Sequence, residues 1–358
     1  MPFYSDIKKL PANDRKRVLE RLLLLRESLD KEIPRRTQKE NMLLATWNIR
    51  DFDSAKFGER MDEAIFYIAE IIDRFDLVAI QEVNKDLSGL YRLMKVLGGD
   101  WKYVFTDTTE GSPGNRERMV FLYDSRKVKH AGLAGEIVLK AIKQSDGTLK
   151  PVTQLARTPF ICGFKSGWTK FMLATVHIIW GEGKAEPEDR VNEIRQVAQF
   201  LRKRTTDKHA WARNLILLGD FNIFRKTNVT FKELINAGFV VPEQIQKLPS
   251  TSPAKNRKYD QIAFRVRENS LDMTGKAGVF DFYKTVYRIE DEEEYMPYMM
   301  PGFETKTDGT PRSETSKKTY YKTHWRTQQM SDHLLMWVEL QIDYSDEYLK
   351  YLQTKLDE

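Results

Sequence analysis

Seven positions at which apolar runs begin or end carry residues able to do acid–base or metal chemistry. Leu77-Val78-Ala79-Ile80-Gln81 ends in Glu82, and Met172-Leu173-Ala174-Thr175-Val176 ends in His177. Leu215-Ile216-Leu217-Leu218-Gly219 ends in Asp220 with Asn222 two residues on, and the first apolar run, Met42 to Trp47, ends in Asn48. Conversely, Glu117-Arg118 opens Met119 to Tyr123, Asp260 opens Gln261 to Phe264, and Asp332-His333 opens Leu334 to Trp337. If these runs are strands and the two sets are antiparallel, all seven ends meet along one edge. Glu82, Glu117, Asp220, Asp260 and Asp332 would then repel one another unless a cation or protonated histidines balanced them. An all-oxygen donor set favours a hard ion, so Mg²⁺ or Mn²⁺ is expected rather than Zn²⁺, with Ca²⁺ also compatible. Such ions serve phosphoryl chemistry by neutralising non-bridging oxygens and acidifying bound water. One acid at a strand end is ordinarily a turn or cap residue. Seven independent ordinary explanations must all hold together, and that joint requirement favours a site. No G-x-S-x-G, H-E-x-x-H, P-loop or G-x-G-x-x-G pattern offers a competing chemistry.

The elements that must position these residues read as an α/β alternation of about eight or more strands. Strands are expected at Met42–Trp47, Leu77–Gln81, Met119–Tyr123, Thr158–Phe164, Phe171–Val176, Leu215–Leu218, Gln261–Phe264 and Leu334–Leu340. Helical spacing covers about Glu59–Phe75, Leu87–Leu97, Pro187–Arg204 and Thr230–Ala237. Ahead of them, Pro11 to about Ile33 reads as one helix with Val18, Leu22, Leu25, Leu29 and Ile33 on a single stripe, packed on its own domain or offered to a partner or a second copy. The expected organisation is an N-terminal helical extension over 1–40, one domain over 41–343 and a C-terminal tail over 344–358. Gly132–Arg157 and the acid-then-base stretch Arg288–Met330 are read as excursions, the second as solvated loop.

Composition narrows the classes. The 358 residues are 41% apolar and 31% charged, and aliphatic runs such as Leu22–Leu25 stop at four residues, so no integral membrane segment is expected. The single Cys162 provides no internal disulfide, and Met1-Pro2-Phe3-Tyr4-Ser5-Asp6 lacks a signal-peptide pattern, so a cytoplasmic location is expected. The net charge of +6 is a mild bias toward anionic partners.

In its polar blocks the sequence resembles the endonuclease/exonuclease/phosphatase superfamily, most closely its type I deoxyribonuclease branch. The blocks are collinear from about Leu43 to Leu340: Trp47-Asn48-Ile49-Arg50, Ile80-Gln81-Glu82-Val83, Arg116-Glu117-Arg118, Arg157-Thr158-Pro159, Thr175-Val176-His177, Gly219-Asp220-Phe221-Asn222, Tyr259-Asp260-Gln261-Ile262, Phe280-Asp281-Phe282 and Ser331-Asp332-His333. The resemblance implies two packed mixed β-sheets flanked by helices, a four-layer α/β/β/α sandwich, and a metal-dependent DNA endonuclease leaving 5′-phosphate and 3′-hydroxyl ends. It implies Glu82 as principal metal ligand with Asn48 and Asp332 beside it. Asp220 and Asn222 would position phosphate and attacking water, Asp220 with a second ion. His177 paired with Glu117 and His333 paired with Asp260 would act as acid and base, and Arg157 and Arg50 would contact phosphate oxygens. Duplex or single-stranded DNA is the implied partner.

Two positions depart from that branch: Asn84 stands where it has a minor-groove arginine, and Asn115 where it stacks a tyrosine. Arg312, Lys317, Lys318, Lys322, Trp325 and Arg326, interleaved with Tyr320 and Tyr321, are an alternative strand-holding set. The same chemistry on a nucleotide, inositol phosphate or phospholipid head group is the first rival reading, and a non-catalytic scaffold on this fold is the second.

Overall fold

A computed structural model describes the whole chain apart from residues 53, 55–58, 110–115, 268, 269 and 358. Its elements run α1 (Ala12–Glu32), β1 (Asn41–Phe52), α2 (Asp62–Ile72), β2 (Leu77–Val83), α3 (Ser88–Leu97), β3 (Trp101–Phe105), β4 (Arg118–Asp124), β5 (Lys129–Glu136), β6 (Ile142–Lys143), β7 (Leu149–Lys150), β8 (Phe160–Ser166) and β9 (Thr169–His177). The second half continues with α4 (Glu188–Thr206), β10 (Leu215–Asp220), α5 (Val229–Asn236), α6 (Glu243–Lys247), β11 (Asp260–Arg265), β12 (Met273–Phe280), α7 (Glu292–Tyr295), α8 (Glu314–Thr319), α9 (Arg326–Gln329), β13 (Leu335–Gln341) and α10 (Ser345–Asp357).

Two mixed sheets form, in the orders β12-β13-β1-β2-β4-β3 and β11-β10-β9-β8-β5, with β6 and β7 as a separate hairpin. Strand parity assigns the layers, because alternate residues of a strand face opposite sides. On β1, Leu43, Ala45, Trp47 and Ile49 join the core shared with α1, α2 and α3, whereas Met42 and Leu44 join the core between the sheets. The second sheet carries α4 and α5 through Ile194, Val197, Leu201, Phe231 and Leu234. The result is the expected α/β/β/α sandwich with its N-terminal helix. Among the described residues, no helix is long and apolar enough to cross a membrane.

The inter-sheet face turns polar as the strands approach one edge. Thr46 continues the phase of Met42 and Leu44 and shares a hydrogen bond with Gln81, whose amide donates across the sheets to Thr175 at 2.8 Å. One residue pair further on lie Asn48 and, in the second sheet, His177. The antiparallel condition set by the sequence is met: β1 and β2 are parallel with β13 and β4 antiparallel to them, and β9 and β10 are parallel with β11 antiparallel.

Val18, Leu22, Leu25, Leu29 and Ile33 are all buried in the core with α2, so the helix stripe is spent on its own chain, while Leu19 and Leu23 stay exposed. The solvated-loop reading of Arg288–Met330 is corrected. That stretch folds into short helices whose Tyr295, Met299, Phe303, Tyr321, Trp325 and Met330 are buried against α1 and α2. Its charge runs masked the aromatic spacing that packs it. With Tyr321, Trp325 and Arg326 buried, the strand-holding set proposed there cannot offer those rings for stacking. Gly132–Arg157 is likewise partly regular, since β5 pairs with β8. Asn115 lies outside the described residues.

Candidate active site

Register builds the first row of the site. Asp220 pairs laterally with His177 of β9 and with Asp260 of β11, so three polar side chains stand side by side on the inter-sheet face of the second sheet. The close approach that permits this depends on Gly219, whose φ is +129° and where a Cβ would lie 2.2 Å from Val176 O. Any other residue there forces β10 away from β9.

The first sheet contributes Asn48 by continuing the phase of Thr46, but Glu82 by breaking it. Alternation along β2 would send Glu82 to the helix side with Val78 and Ile80. Instead its φ is +62°, the ladder shifts register between Ile80 and Val83, and its carboxylate reaches Asn48 Nδ2 at 2.8 Å and Asp51 N at 2.9 Å. A non-glycine residue in this region costs of order 1 kcal/mol or more, and such strain concentrates at functional sites. Asn222 has φ +52°. Its N–H donates to Asp220 Oδ1 at 2.8 Å and its Nδ2 to Ile178 O at 2.8 Å.

Two histidine–carboxylate pairs face each other across this edge. His177 Nδ1 lies 2.8 Å from Glu117 Oε1, and the same oxygen is ion-paired with Arg157. His333 Nδ1 lies 2.9 Å from Asp260 Oδ2. Both rings turn Nε2 inward, to 3.5 Å and 3.6 Å from Asp220 Oδ2 respectively, and His177 Nε2 is also 3.7 Å from Glu82 Oε1. All but Glu82 are buried. Burial opposes charge on both rings, but Glu117 and Asp220 raise His177, and Asp260 and Asp220 raise His333 well above the usual histidine range. Burial would lift Asp220, yet His333, His177 and the Asn222 N–H outweigh it and hold the carboxyl low. Glu82 keeps 21% of its side chain exposed, yet the desolvation of its enclosed carboxyl and the Glu117 and Asp332 carboxylates push it up against the pull of His177.

The remaining sequence-predicted residues are placed at the rim. Asp332 is the most open of them, its side chain 47% exposed, and lies 3.8 Å from Arg50 Nε. Arg50 Nη1 donates to Thr323 O at 3.2 Å and to Thr327 Oγ1, both in the packed 288–330 stretch. Arg157 is buried beside Glu117.

The donor set fits a hard cation. Asn48 bridges Glu82 and Asp220 through Nδ2, at 2.8 and 3.1 Å, while its Oδ1 is buried with no hydrogen-bond partner among the described residues. An orphaned amide oxygen flanked by two carboxylates is what an oxygen-preferring ion satisfies. Glu82, Glu117 and His177, and separately Asp220, Asp260 and His333, offer ligand atoms within 4.8 Å of one another. Glu117 and Asp260 are already committed to their histidines, so the oxygens available to face such an ion are those of Glu82, Asn48 and Asp220, with Asp332 at the rim.

Three supporting residues escaped the sequence reading. Ser331 Oγ donates to Asn48 O and accepts from His333 N at 2.9 Å and Arg50 N at 3.3 Å, so one hydroxyl ties three site residues together. Its signal was its place ahead of Asp332-His333. Half-buried Glu193 accepts from Ala156 N and Ile179 N, bracing the chain just before Arg157 and just after His177, and nothing in its helical context marked it. Buried Thr251 supports Asp260, whose N–H donates to its hydroxyl at 3.3 Å.

No protein-family model matches the chain. It is similar to a deoxyribonuclease of Thioalkalivibrio sp. (strain K90mix), with 32% identity over 189 residues that cover 51% of this chain and 46% of that protein. It is also similar to Deoxyribonuclease-1 of Bos taurus, with 27% identity over 277 residues, 70% of this chain and 87% of that protein. The chain thus spans about half the length of the first relative. Among solved structures, an endonuclease/exonuclease/phosphatase from Bacteroides vulgatus superposes with a TM-score of 0.52 at 15% identity over 85% of this chain and all of that one, which shows the shared fold.

Proposed function

We propose that this chain, which carries the endonuclease/exonuclease/phosphatase fold and is similar in sequence to type I deoxyribonucleases, is a metal-dependent phosphodiesterase that cuts DNA internally to leave 5′-phosphate and 3′-hydroxyl ends. The observation that carries the reading is the pair of histidine–carboxylate couples converging on Asp220. A carboxylate on Nδ1 fixes each ring's tautomer and orientation and leaves Nε2 for proton transfer. Two such rings on opposite sides of one anionic centre supply an acceptor for the proton of attacking water and a donor for the leaving 3′-oxygen. Asp220 and Asn222 orient the water and phosphate between them. Arg50 and Arg157 bring positive charge to the non-bridging oxygens, where charge accumulates in an in-line displacement. Glu82 and Asn48, with Asp332 and Asp220 as further oxygen donors, would hold a Mg²⁺ or Mn²⁺ ion, which would supply further neutralisation of phosphate charge.

A binding module has no physical need for two buried histidine–carboxylate couples beside strained Glu82, which argues against the scaffold reading. The test is conversion of supercoiled plasmid to nicked and linear forms by purified protein in Mg²⁺, Mn²⁺ or EDTA, with His177→Ala as the contamination control. Metal-dependent nicking that the variant lacks supports the reading. Intact plasmid alongside hydrolysis of bis-p-nitrophenyl phosphate would move the substrate to a small phosphodiester, and 3′-phosphate product ends would overturn the mechanism.

A further inference from the structure

The three strands that carry the second-sheet half of the site each place an aromatic residue next to their polar one. Trp180 follows His177 by three positions, Phe224 follows Asn222 by two, and Tyr259 precedes Asp260. The three rings meet in one cluster, with centroids 5.4 Å apart for Trp180 and Phe224, 5.7 Å for Trp180 and Tyr259, and 6.2 Å for Phe224 and Tyr259. Tyr259 in turn lies 5.0 Å from the His333 ring, so the cluster is continuous with the reacting centre.

Its outer end is open and its charge is positive. Trp180 is 38% exposed despite its ring contacts. Arg257 lies 4.2 Å from the Phe224 centroid and 5.3 Å from that of Trp180, and its Nη1 donates to the Tyr259 hydroxyl at 3.2 Å. Beneath the cluster, fully buried Arg190 donates to the carbonyls of Ile179, Trp180, Lys184 and Ala185. One guanidinium therefore fixes the loop that presents Trp180. Burial without a carboxylate among these hydrogen-bond partners draws Arg190 down to about 10, with Asp220 and Tyr259 offsetting only part of that penalty.

A rigid, half-open indole edged by a guanidinium and continuous with a phosphate-cleaving centre matches what a splayed-out base requires: a π-face for stacking and a cation for the adjoining phosphate. We propose that Trp180, backed by Phe224 and Tyr259 and edged by Arg257, is the stacking subsite for one unpaired nucleobase of a DNA strand whose scissile phosphate lies between His177 and His333. The assignment rests on the phosphodiesterase reading and narrows it to strands that can leave a base unstacked. It also fits Asn84, which supplies no cation for a minor groove.

The test reads binding without cleavage. Fluorescence anisotropy in EDTA compares a short labelled oligothymidylate with a strand of the same length built from abasic nucleotides. The wild-type protein is expected to bind the base-bearing strand about tenfold more tightly. Trp180→Ala and Trp180→Leu, the second keeping apolar bulk without a π-face, should bring the ratio close to one, and Trp180→Phe should retain most of it. Equal affinities for the two strands in the wild-type protein, or an undiminished ratio in Trp180→Leu, would overturn the subsite. So would thymidine 5′-monophosphate displacing the strand at an equal concentration of bases, since that is a mononucleotide pocket. A plasmid-nicking protein with a ratio of one refutes the subsite alone, whereas an inert protein with a tenfold ratio refutes the nuclease reading alone.

Discussion

His177 and His333 meet at a single oxygen: their Nε2 atoms lie 3.5 Å and 3.6 Å from Asp220 Oδ2, although they come from different sheets and each is held from behind by its own carboxylate. Asp220 is therefore the hinge of the proposed chemistry. Asp220→Asn preserves the shape and removes the anion that both rings face. Hydrolysis of bis-p-nitrophenyl phosphate by this variant is expected to fall by about 10²–10⁴, the usual worth of a positioned acid–base system. Near wild-type turnover would show that the convergence is merely structural.

Glu82 is pushed up by desolvation and by neighbouring carboxylates, so a cation that relieves this crowding stabilises the fold. Binding at 100 times Kd contributes about 2.7 kcal/mol. For a chain of 358 residues, an unfolding entropy of about 2.1 cal/mol/K per residue makes that a rise in Tm of about 3–4 °C. Thermal unfolding in EDTA and in Mn²⁺ should show the rise in the wild-type protein and its loss in Glu82→Gln. An equal rise in the variant would remove Glu82 from the ligand set.

Arg17 of α1 ion-pairs with Glu63 of α2 at 2.7 Å, both almost fully buried and lying beside Tyr295 of the packed excursion. Burial pushes the Glu63 carboxyl up despite the guanidinium. Arg17→Ala strands that carboxylate in the core and is expected to cost about 3–5 kcal/mol. Arg17→Met combined with Glu63→Leu should recover most of the loss, because it removes both charges and keeps the volume. Chemical denaturation of the three proteins measures the difference, and a loss under 1 kcal/mol in Arg17→Ala would mean that water reaches the pair.

Asp124 is buried with Arg36, from the segment after α1, and Arg126 as its partners. Burial alone would raise its carboxyl, but Arg126 and Arg36 hold it well below the usual range. A carboxylate lowered in the folded state adds stability that is present above the ordinary value near pH 3.9 and is lost as pH falls through the folded value. Stability should therefore decline below about pH 4. Asp124→Asn should be weaker by about 2 kcal/mol at neutral pH and show a flatter acid limb. Unfolding midpoints at pH 7, 4 and 3 test this, and parallel acid limbs would assign the decline to other groups.

What the sequence determined by itself was local and periodic. Leu22, Leu25 and Leu29 recur at the helical period, and their burial on α2 follows from that spacing. Apolar strands ending in Glu82, His177 and Asp220 announced a shared edge, because a strand's direction fixes which end its terminal residue occupies. Even the pairing of His177 with Glu117 and His333 with Asp260 was accessible through resemblance. The tertiary structure decided what depends on register and on contacts distant in sequence. Parity on β2 would have turned Glu82 away from the site, and only its left-handed backbone, within a shifted ladder, brings it to Asn48. Trp180, Phe224 and Tyr259 sit in three loops far apart in sequence, and only the adjacency of β9, β10 and β11 gathers them beside His333. The acidic and basic runs of residues 288–330 look solvated one residue at a time. Whether Tyr295 and Trp325 are buried depends on α1 arriving from the opposite end of the chain, and local composition carries no record of that contact.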